Sequence, residues 1–381
     1  MKIILTSQSS AFGGVERRLI QEAKFLRGLG HEVFVATPYF QNIRLYLSEM
    51  DSLGVKSIGW NPYKFIERNQ AYFPFSLAPI LAQKKLRNLN PDIAHVALTW
   101  TSVGMTRLFE LHRMRIPVLL SLHCTYPLQT FSQPIRRLIR EALVGVIGAY
   151  AVSEGSRQSF LANFKSEANH FDVDIVNNGV STVRFGPNIE FRNIIRANFN
   201  IPEDAFLICF CGRLDSNKDP LFALKLLCDE HLRNRRVYLI FAGDGPLRDS
   251  LIRVSKLNGL NNYVIFAGFT DRIAEILAAS DAYISCSRQE AFSLALAEAL
   301  ASGLPSLVPD ESHFDDFSSC GAVYRLARDR PTDWVDAIVS LIDRGASLRS
   351  PINIYARQFA ENYLSETIMF RKLKRFYERY I

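Results

Sequence analysis

A helix that crosses a bilayer needs roughly 20 consecutive apolar residues, and the chain has no such run. Its longest nearly apolar stretch, Ala142 to Val152, is short and is interrupted by Gly145 and Gly148. The opening residues, MKIILTSQSS, carry only the short apolar run Ile3, Ile4 and Leu5, so no secretion signal is expected there. The six cysteines, at 124, 209, 211, 228, 286 and 320, form no CxxC pair and no even framework. That spacing argues against a disulfide scaffold and leads to the expectation of reduced thiols in a cytoplasmic chain. No tandem repeat, low-complexity tract or RNA- or DNA-binding motif is visible.

What the chain does have is length and apolar content. Its 381 residues, 48% of them hydrophobic, suffice for two domains with sizeable cores and exclude a disordered protein. The net charge of +7 is unevenly placed: residues 1–178 hold 20 Lys+Arg against 13 Asp+Glu, whereas residues 179–381 hold 25 of each. The whole excess therefore lies in the first half. It points either to an anionic partner, such as membrane phospholipid, a lipid-linked diphosphate or nucleic acid, or to a solvated basic face. The segment QPIRRLIREA, Gln133 to Ala142, is a predicted helix with Arg136, Arg137 and Arg140 on one side. Such a segment can lie on anionic membrane or face solvent over a sheet.

The first half alternates strands and helices. Lys2 to Gln8 is a predicted strand, Gly13-Gly14 a turn, and Val15 to Leu29 a helix with Val15, Leu19, Ala23 and Leu26 on one stripe; Gly30 ends it before the strand in HEVFVATP. Glycines at a helix N-terminus let backbone N–H groups approach a phosphate, although a plain tight turn explains them as well. Further on, IPVLLSLH reads as a strand ending at His123. A histidine at the carboxyl end of a buried parallel strand can meet a ligand, or it can be a satisfied structural residue. Asp172 and Asp174 form DVD, a spacing known from metal-binding motifs, just before Asn177-Asn178-Gly179.

The same rhythm restarts in the second half. AFLICFCG, Ala205 to Gly212, reads as a strand buried on both faces. Arg213 and Lys218 follow it in a glycine-led loop, where two cations suit a diphosphate, the alternative being surface pairing with Asp215 and Asp219. After RVYLIFAGDGP and YVIFAGFTDR comes the stretch EAFSLALAEALASGLP, Glu290 to Pro305. Its apolar residues surround the predicted helix, so Glu298 is expected to be buried with donors or a cation against it. Glu290 sits where a strand hands over to this helix, and the free N–H groups around Phe292, Ser293 and Leu294 suit a phosphate. Two carboxylates beside a phosphate-binding terminus fit a nucleotide sugar, though an ordinary buried ion pair remains the alternative for either glutamate.

Glu290 and Glu298, seven residues between them, resemble the signature of the retaining glycosyltransferases of family 4. GGVER (Gly13 to Arg17), NNGV (Asn177 to Val180), GRLDSNKDP (Gly212 to Pro220) and GDGP (Gly243 to Pro246) fall in that family's order, so the resemblance covers nearly the whole chain. It implies an α/β protein of GT-B type, two Rossmann-like doubly wound domains facing a central cleft. The boundaries it implies are 1–185 on the acceptor side, 186–365 for the nucleotide sugar, and a terminal helix, 366–381, crossing back to the first domain. It also implies catalytic roles for His123, Arg213, Lys218 and Glu290. Donor binding would fall to Gly13, Gly14, Arg213, Lys218, Phe269, Thr270, Glu290, Phe292, Ser293, Leu294 and Glu298, with the base held by the exit from Phe269 to Arg272. No metal and no cofactor is implied, so DVD is not expected to bind one. Cys124 departs from the acidic residue common after the histidine, Pro127 agrees with the pattern, and Ser181 replaces a common aspartate.

The resulting expectation is a retaining hexosyltransferase using a UDP- or GDP-linked sugar. The acceptor would be a saccharide or a lipid-linked molecule, in cell-surface polysaccharide or lipopolysaccharide synthesis. The enzyme would work in the cytoplasm, with peripheral contact to anionic membrane at its inner face and no nucleic acid partner. A sugar-nucleotide epimerase or hydrolase of the same fold is one alternative. A non-catalytic polyanion- or membrane-binding module is the other.

Overall fold

Short apolar runs rich in Val, Ile, Leu and Phe, bounded by turn residues, become the strands of two wholly parallel sheets. The computed structural model describes residues 1–7, 13–38, 43–60, 66–67, 70–71, 78–99, 101–125, 128, 131–345 and 353–381. The position of Pro127 lies outside them. The chain divides into one unit of Met1–Asn178 with Phe370–Ile381 and a second of Gly179–Met369.

In the first unit the strands are β1 (Lys2–Ser7), β2 (Glu32–Thr37), β3 (Lys56–Gly59), β4 (Ile66–Glu67), β5 (Gln70–Ala71), β6 (Ile93–Leu98), β7 (Val118–Leu122), β8 (Val146–Ala151) and β9 (Val173–Ile175). Strands β4 and β5 form a separate antiparallel pair; the others assemble in the order β3-β2-β1-β6-β7-β8-β9. The chain builds outward from β1 in one direction, then returns to place β6 on its other side, in register Ile3 with Ile93. That reversal makes a topological switch point, where α/β sheets hold their ligands. Between the sheet and its helices lies a core containing Trp60, Leu108, Leu120, Phe160 and Phe164, all sealed from solvent. The last helix, Glu366–Tyr377, brings Phe370 into a stack on Phe25 at 5.6 Å between ring centres.

The second unit repeats the plan with β10 (Phe206–Cys211), β11 (Val237–Ala242), β12 (Val264–Gly268), β13 (Ala282–Ile284), β14 (Ser306–Pro309) and β15 (Val323–Leu326). Their order is β12-β11-β10-β13-β14-β15. The switch falls between β10 and β13, with Ile208 beside Ala282 and Cys209 beside Tyr283. Cys209 and Cys211 are buried in β10, and all six cysteines are free thiols.

Candidate active site

The loops that leave β10 and β13 are neighbours because their strands are, and they carry five of the predicted residues, Arg213, Lys218, Glu290, Phe292 and Ser293. Lys218 Nζ donates to Glu290 Oε1, and Ser287 Oγ donates to the same oxygen at 2.8 Å. The alternative pairing of Lys218 with Asp215 or Asp219 is not what forms. Asp215 Oδ1 instead accepts from the backbone N–H of Asn217 (3.1 Å) and Lys218 (3.0 Å), which shapes the loop. Asp219 takes Arg288 at 2.7 Å and Arg328 at 3.3 Å. Arg213 is largely exposed, with Asp215 Oδ2 3.6 Å from its Nε.

The two loops are laced by further contacts. Arg288 N donates to Asn217 O at 2.8 Å, Asn217 Nδ2 to Gln289 O at 3.0 Å, and Arg328 Nη2 to Cys286 O. A third loop braces the first. Leu214 N donates to Asp244 O at 3.0 Å and Leu247 N to Leu214 O at 2.9 Å. Here the glycines of GDGP find their reason: a Cβ on Gly243, whose φ is +153°, would fall 2.0 Å from Gly212 O, and one on Gly245 would fall 2.6 Å from Leu214 O. The motif holds the backbone that carries Arg213.

The helix after Glu290 runs Leu294–Ala301 with Ser293 as N-cap. Ser293 Oγ is buried and has no hydrogen-bond partner, and no side chain caps the helix. A buried hydroxyl without a partner at the positive end of a helix is a place for an acceptor oxygen. Phe292 turns inward onto Phe317, 5.3 Å between ring centres, so only its backbone is open to a ligand.

The expectation that this helix is buried on every side is not met. Leu296, Ala297, Ala299, Leu300 and Ala301 are buried, but Leu294, Ala295 and Glu298 are only half-buried. Positions i, i+1 and i+4 share one face of a helix, and that face is the open one here. Leu and Ala look alike in a sequence on either face, which is why Glu298 read as sealed. Phe269, just past β12, is 79% exposed despite its large ring, and the neighbouring Thr270 Oγ1 accepts from Arg272 N at 3.1 Å.

Sequence reasoning missed Ser287, Arg328 and His313. His313 lies in the Ser312–Phe317 turn; its Nε2 is buried without a partner, and burial pushes its pKa down although Glu290 works the other way. None of the three stands in a recognisable motif; only the strand order brings Ser287 and His313 to Glu290, and Arg328 to Asp219 and Cys286 O.

In the first unit His123 follows β7 directly. Its Nε2 lies 2.9 Å from Ser121 Oγ, and the ring is 8% exposed. Burial, with Arg18 adding to it, lowers its pKa to about 3, so the imidazole is neutral. The Cys124 thiol is pushed up to about 12 by burial and stays protonated. Gly13 caps the Gly14–Gly28 helix, but its N–H, expected to be open to a phosphate, is donated to Glu16 Oε2 at 2.9 Å. A carboxylate at that spot opposes an anion, and Gly13 is in extended backbone that does not demand glycine. Asp174 is paired with Arg379. In the Gln133–Leu143 helix, Ile135, Ile139, Ala142 and Leu143 are buried, so the face left open is the charged one, with Arg136 on Glu167 at 2.9 Å.

Among the described residues no three His, Cys, Asp or Glu side chains come together to hold a metal, and no helix is long and apolar enough to cross a membrane.

Comparison with known proteins agrees with this layout. The family described as Glycosyltransferase Family 4 matches residues 12–184, and the one described as Glycosyl transferases group 1 matches residues 191–359. A putative glycosyltransferase, EpsF, of Bacillus subtilis is 30% identical over 178 residues, 46% of this chain and 46% of the relative, so the chain matches less than half of that protein's length. The alpha-monoglucosyldiacylglycerol synthase of Streptococcus pneumoniae is 24% identical over 331 residues, 82% of this chain and 72% of the relative. Among solved structures, a glycosyltransferase of Rickettsia africae superposes with a TM-score of 0.82 at 20% identity, covering 99% of this chain and 98% of that one. Anabaena HepE, solved in complex with UDP, superposes with a TM-score of 0.78 at 17% identity over 100% of both chains.

Proposed function

We propose that this chain, which belongs to the group 1 glycosyltransferases of family 4, moves a hexose-type sugar from a UDP- or GDP-linked donor to a saccharide or lipid-linked acceptor with retention of configuration. The observation that carries this reading is the cluster at the β10/β13 switch point: Lys218, Glu290 and Ser287 in contact, next in sequence to an unpartnered Ser293 hydroxyl at a helix N-terminus.

The chemistry follows from those groups. Breaking the glycosidic bond places charge on a diphosphate, and preorganised cations and N–H dipoles lower the barrier where that charge develops. Lys218 has three donors and gives one to Glu290, so the others can meet phosphate oxygens without the ion pair opening. Exposed Arg213 offers a planar fork, and Ser293 with the N–H groups of Phe292 and Leu294 supplies neutral donors. Both contacts to Glu290 fall on Oε1, which leaves Oε2 to accept from a sugar hydroxyl. Half-buried Glu298 suits the ribose hydroxyls, and exposed Phe269, with Thr270, offers a face for the base. His123 and the Gly13-Gly14 turn keep the roles that the family resemblance implies for them. No metal or cofactor takes part in this scheme.

The acceptor side draws on what surrounds the basic first half. HepE was solved with UDP-glucose, and one relative is a diphosphoundecaprenol galactosyltransferase of Escherichia coli, 29% identical over 36% of this chain. A lipid-linked diphosphate acceptor, met at the cytoplasmic face of an anionic membrane, matches the excess of Lys and Arg in residues 1–178.

A thermal-unfolding screen with UDP-, GDP- and ADP-sugars tests the donor. Binding at a hundred times Kd adds about 2.7 kcal/mol to stability, a clear rise in Tm. If none of these protects the protein, or if sugar is released only to water, the proposed function is wrong.

A further inference from the structure

Glu22 lies on the Gly14–Gly28 helix, 0% exposed, with a carboxylate that is ionised inside the first unit. Burial alone would raise its pKa, but His95 and Arg18 hold it far below the usual range. Its Oε1 accepts from Arg18 Nε at 2.7 Å and from Tyr150 OH. Its Oε2 accepts from Tyr377 OH at 3.0 Å and lies 2.8 Å from His95 Nδ1. Both phenols are kept protonated, above all by burial. From there the contacts continue in one line: His95 Nε2 to Ser121 Oγ at 2.8 Å, and Ser121 Oγ to His123 Nε2 at 2.9 Å. Strand geometry makes the line, because Ser121 and His123 share a face two residues apart and Ser121 lies beside Tyr150 of β8.

The protons in this line can be ordered by counting donors. Tyr377 OH is 2.6 Å from His95 Nδ1 and has one proton, which goes to Glu22 Oε2. Were it given to His95 instead, a carboxylate oxygen and a ring lone pair would face each other at 2.8 Å with no proton between them. Nδ1 of His95 therefore carries hydrogen. Glu22 is already matched by Arg18, and with one hydrogen on His95, at Nδ1 against Glu22 Oε2, Nε2 faces Ser121 Oγ as an acceptor. Ser121, whose hydroxyl also lies within hydrogen-bond reach of Tyr150, then donates to His95 and accepts from His123 Nε2–H.

We infer that Glu22, His95 and Ser121 form a relay that fixes the tautomer of His123, so that Nδ1 presents a lone pair to a ligand hydroxyl. The inference rests on the proposed function for its ligand; the tautomer itself does not. Glu22, His95 and Ser121 are positioning residues, since they act through His123. A second proton on His95 would reverse the line and turn His123 Nδ1 into a donor. The groups facing His95 and His123 are Arg18, Glu22, Tyr150 and Tyr377, which are the charges and phenols that hold the order in place.

Nitrogen NMR of the full-length protein labelled with 15N-histidine tests this, with His123→Asn used to assign the resonances. The expected wild-type spectrum at pH 7.5 has a pyrrole-type Nε2 and a pyridine-type Nδ1 for His123. Ser121→Ala should convert it to a mixture, and Ser121→Thr should restore it. In parallel, Ser121→Ala should lower kcat about ten- to a hundredfold with KM little changed, as misplaced catalytic groups do, and Ser121→Thr should recover most of it. A pyrrole-type Nδ1 in the wild type overturns the relay, as does a single unchanged tautomer in Ser121→Ala. If the wild type moves no sugar from any nucleotide sugar, the proposed function fails while the spectrum still decides the relay.

Discussion

Lys218 and Glu290, 72 residues apart in sequence, are joined as an ion pair in which each is only partly exposed, 26% for the lysine side chain and 11% for the glutamate. At this exposure solvent screens the pair only in part, and Ser287 also donates to the carboxylate. A cation that is held, rather than free to wander, is worth more to a reaction that develops phosphate charge.

Lys218→Ala should therefore leave the fold intact and remove turnover. A single preorganised charge-stabilising donor is worth roughly 10²–10³ in kcat, and Tm should shift by no more than a few degrees. Steady-state kinetics beside a thermal melt checks both. Unchanged kcat/KM would remove Lys218 from the site.

Glu298→Gln addresses the open face of the Leu294–Ala301 helix. Hydrogen bonds to a charged group contribute about 1.5–3 kcal/mol, so affinity for the free nucleoside diphosphate should fall about ten- to a hundredfold. Titration calorimetry giving the wild-type Kd would contradict a ribose role.

Gly243→Ala tests the bracing of the Arg213 loop from outside the chemistry. The added methyl would lie 2.0 Å from Gly212 O in a backbone conformation with φ +153°. Strain of that kind costs on the order of 1–3 kcal/mol, and donor affinity should fall with it because the loop is displaced. Urea melts and nucleotide titrations that both match the wild type would show that the brace is dispensable.

His123 gives a pH dependence with a definite sign. Its folded pKa of about 3 lies below the unfolded value of 6.5, so between those limits the unfolded chain binds the extra proton. Stability then falls as pH drops from 6.5 toward 3. His123→Gln should lose less stability than the wild type between pH 7 and pH 5, measured by denaturant unfolding at each pH. Parallel losses in the two proteins would mean that the buried ring is not neutral.

EDTA should leave turnover unchanged, since Asp174, the second carboxylate of DVD, is engaged by Arg379. Loss of activity on chelation, restored by Mn²⁺, would reopen that motif as a metal site.

How much was legible beforehand follows from how local each signal is. The βα alternation and the placing of Lys218 and Glu290 in loops after buried strands came from short windows, where apolar runs and glycines specify backbone directly. The openness of Glu298 did not, because a helix of Leu and Ala gives no hint of which side faces its sheet. Gly13 also escaped: a glycine turn signals a phosphate only if nothing nearer takes its N–H, and Glu16 does. Ser287, His313, Ser121 and His95 carry no motif at all. By itself the chain of residues determined where strands, helices and turns would fall, what each loop would carry, and which family it belongs to, since these are read from short windows of sequence. Which carboxylate meets which cation, and which nitrogen of His123 bears the proton, were decided only when strand order set β10 beside β13 and β6 beside β7. Hydrogen bonds and charges act over a few ångströms in space, whatever their separation along the chain.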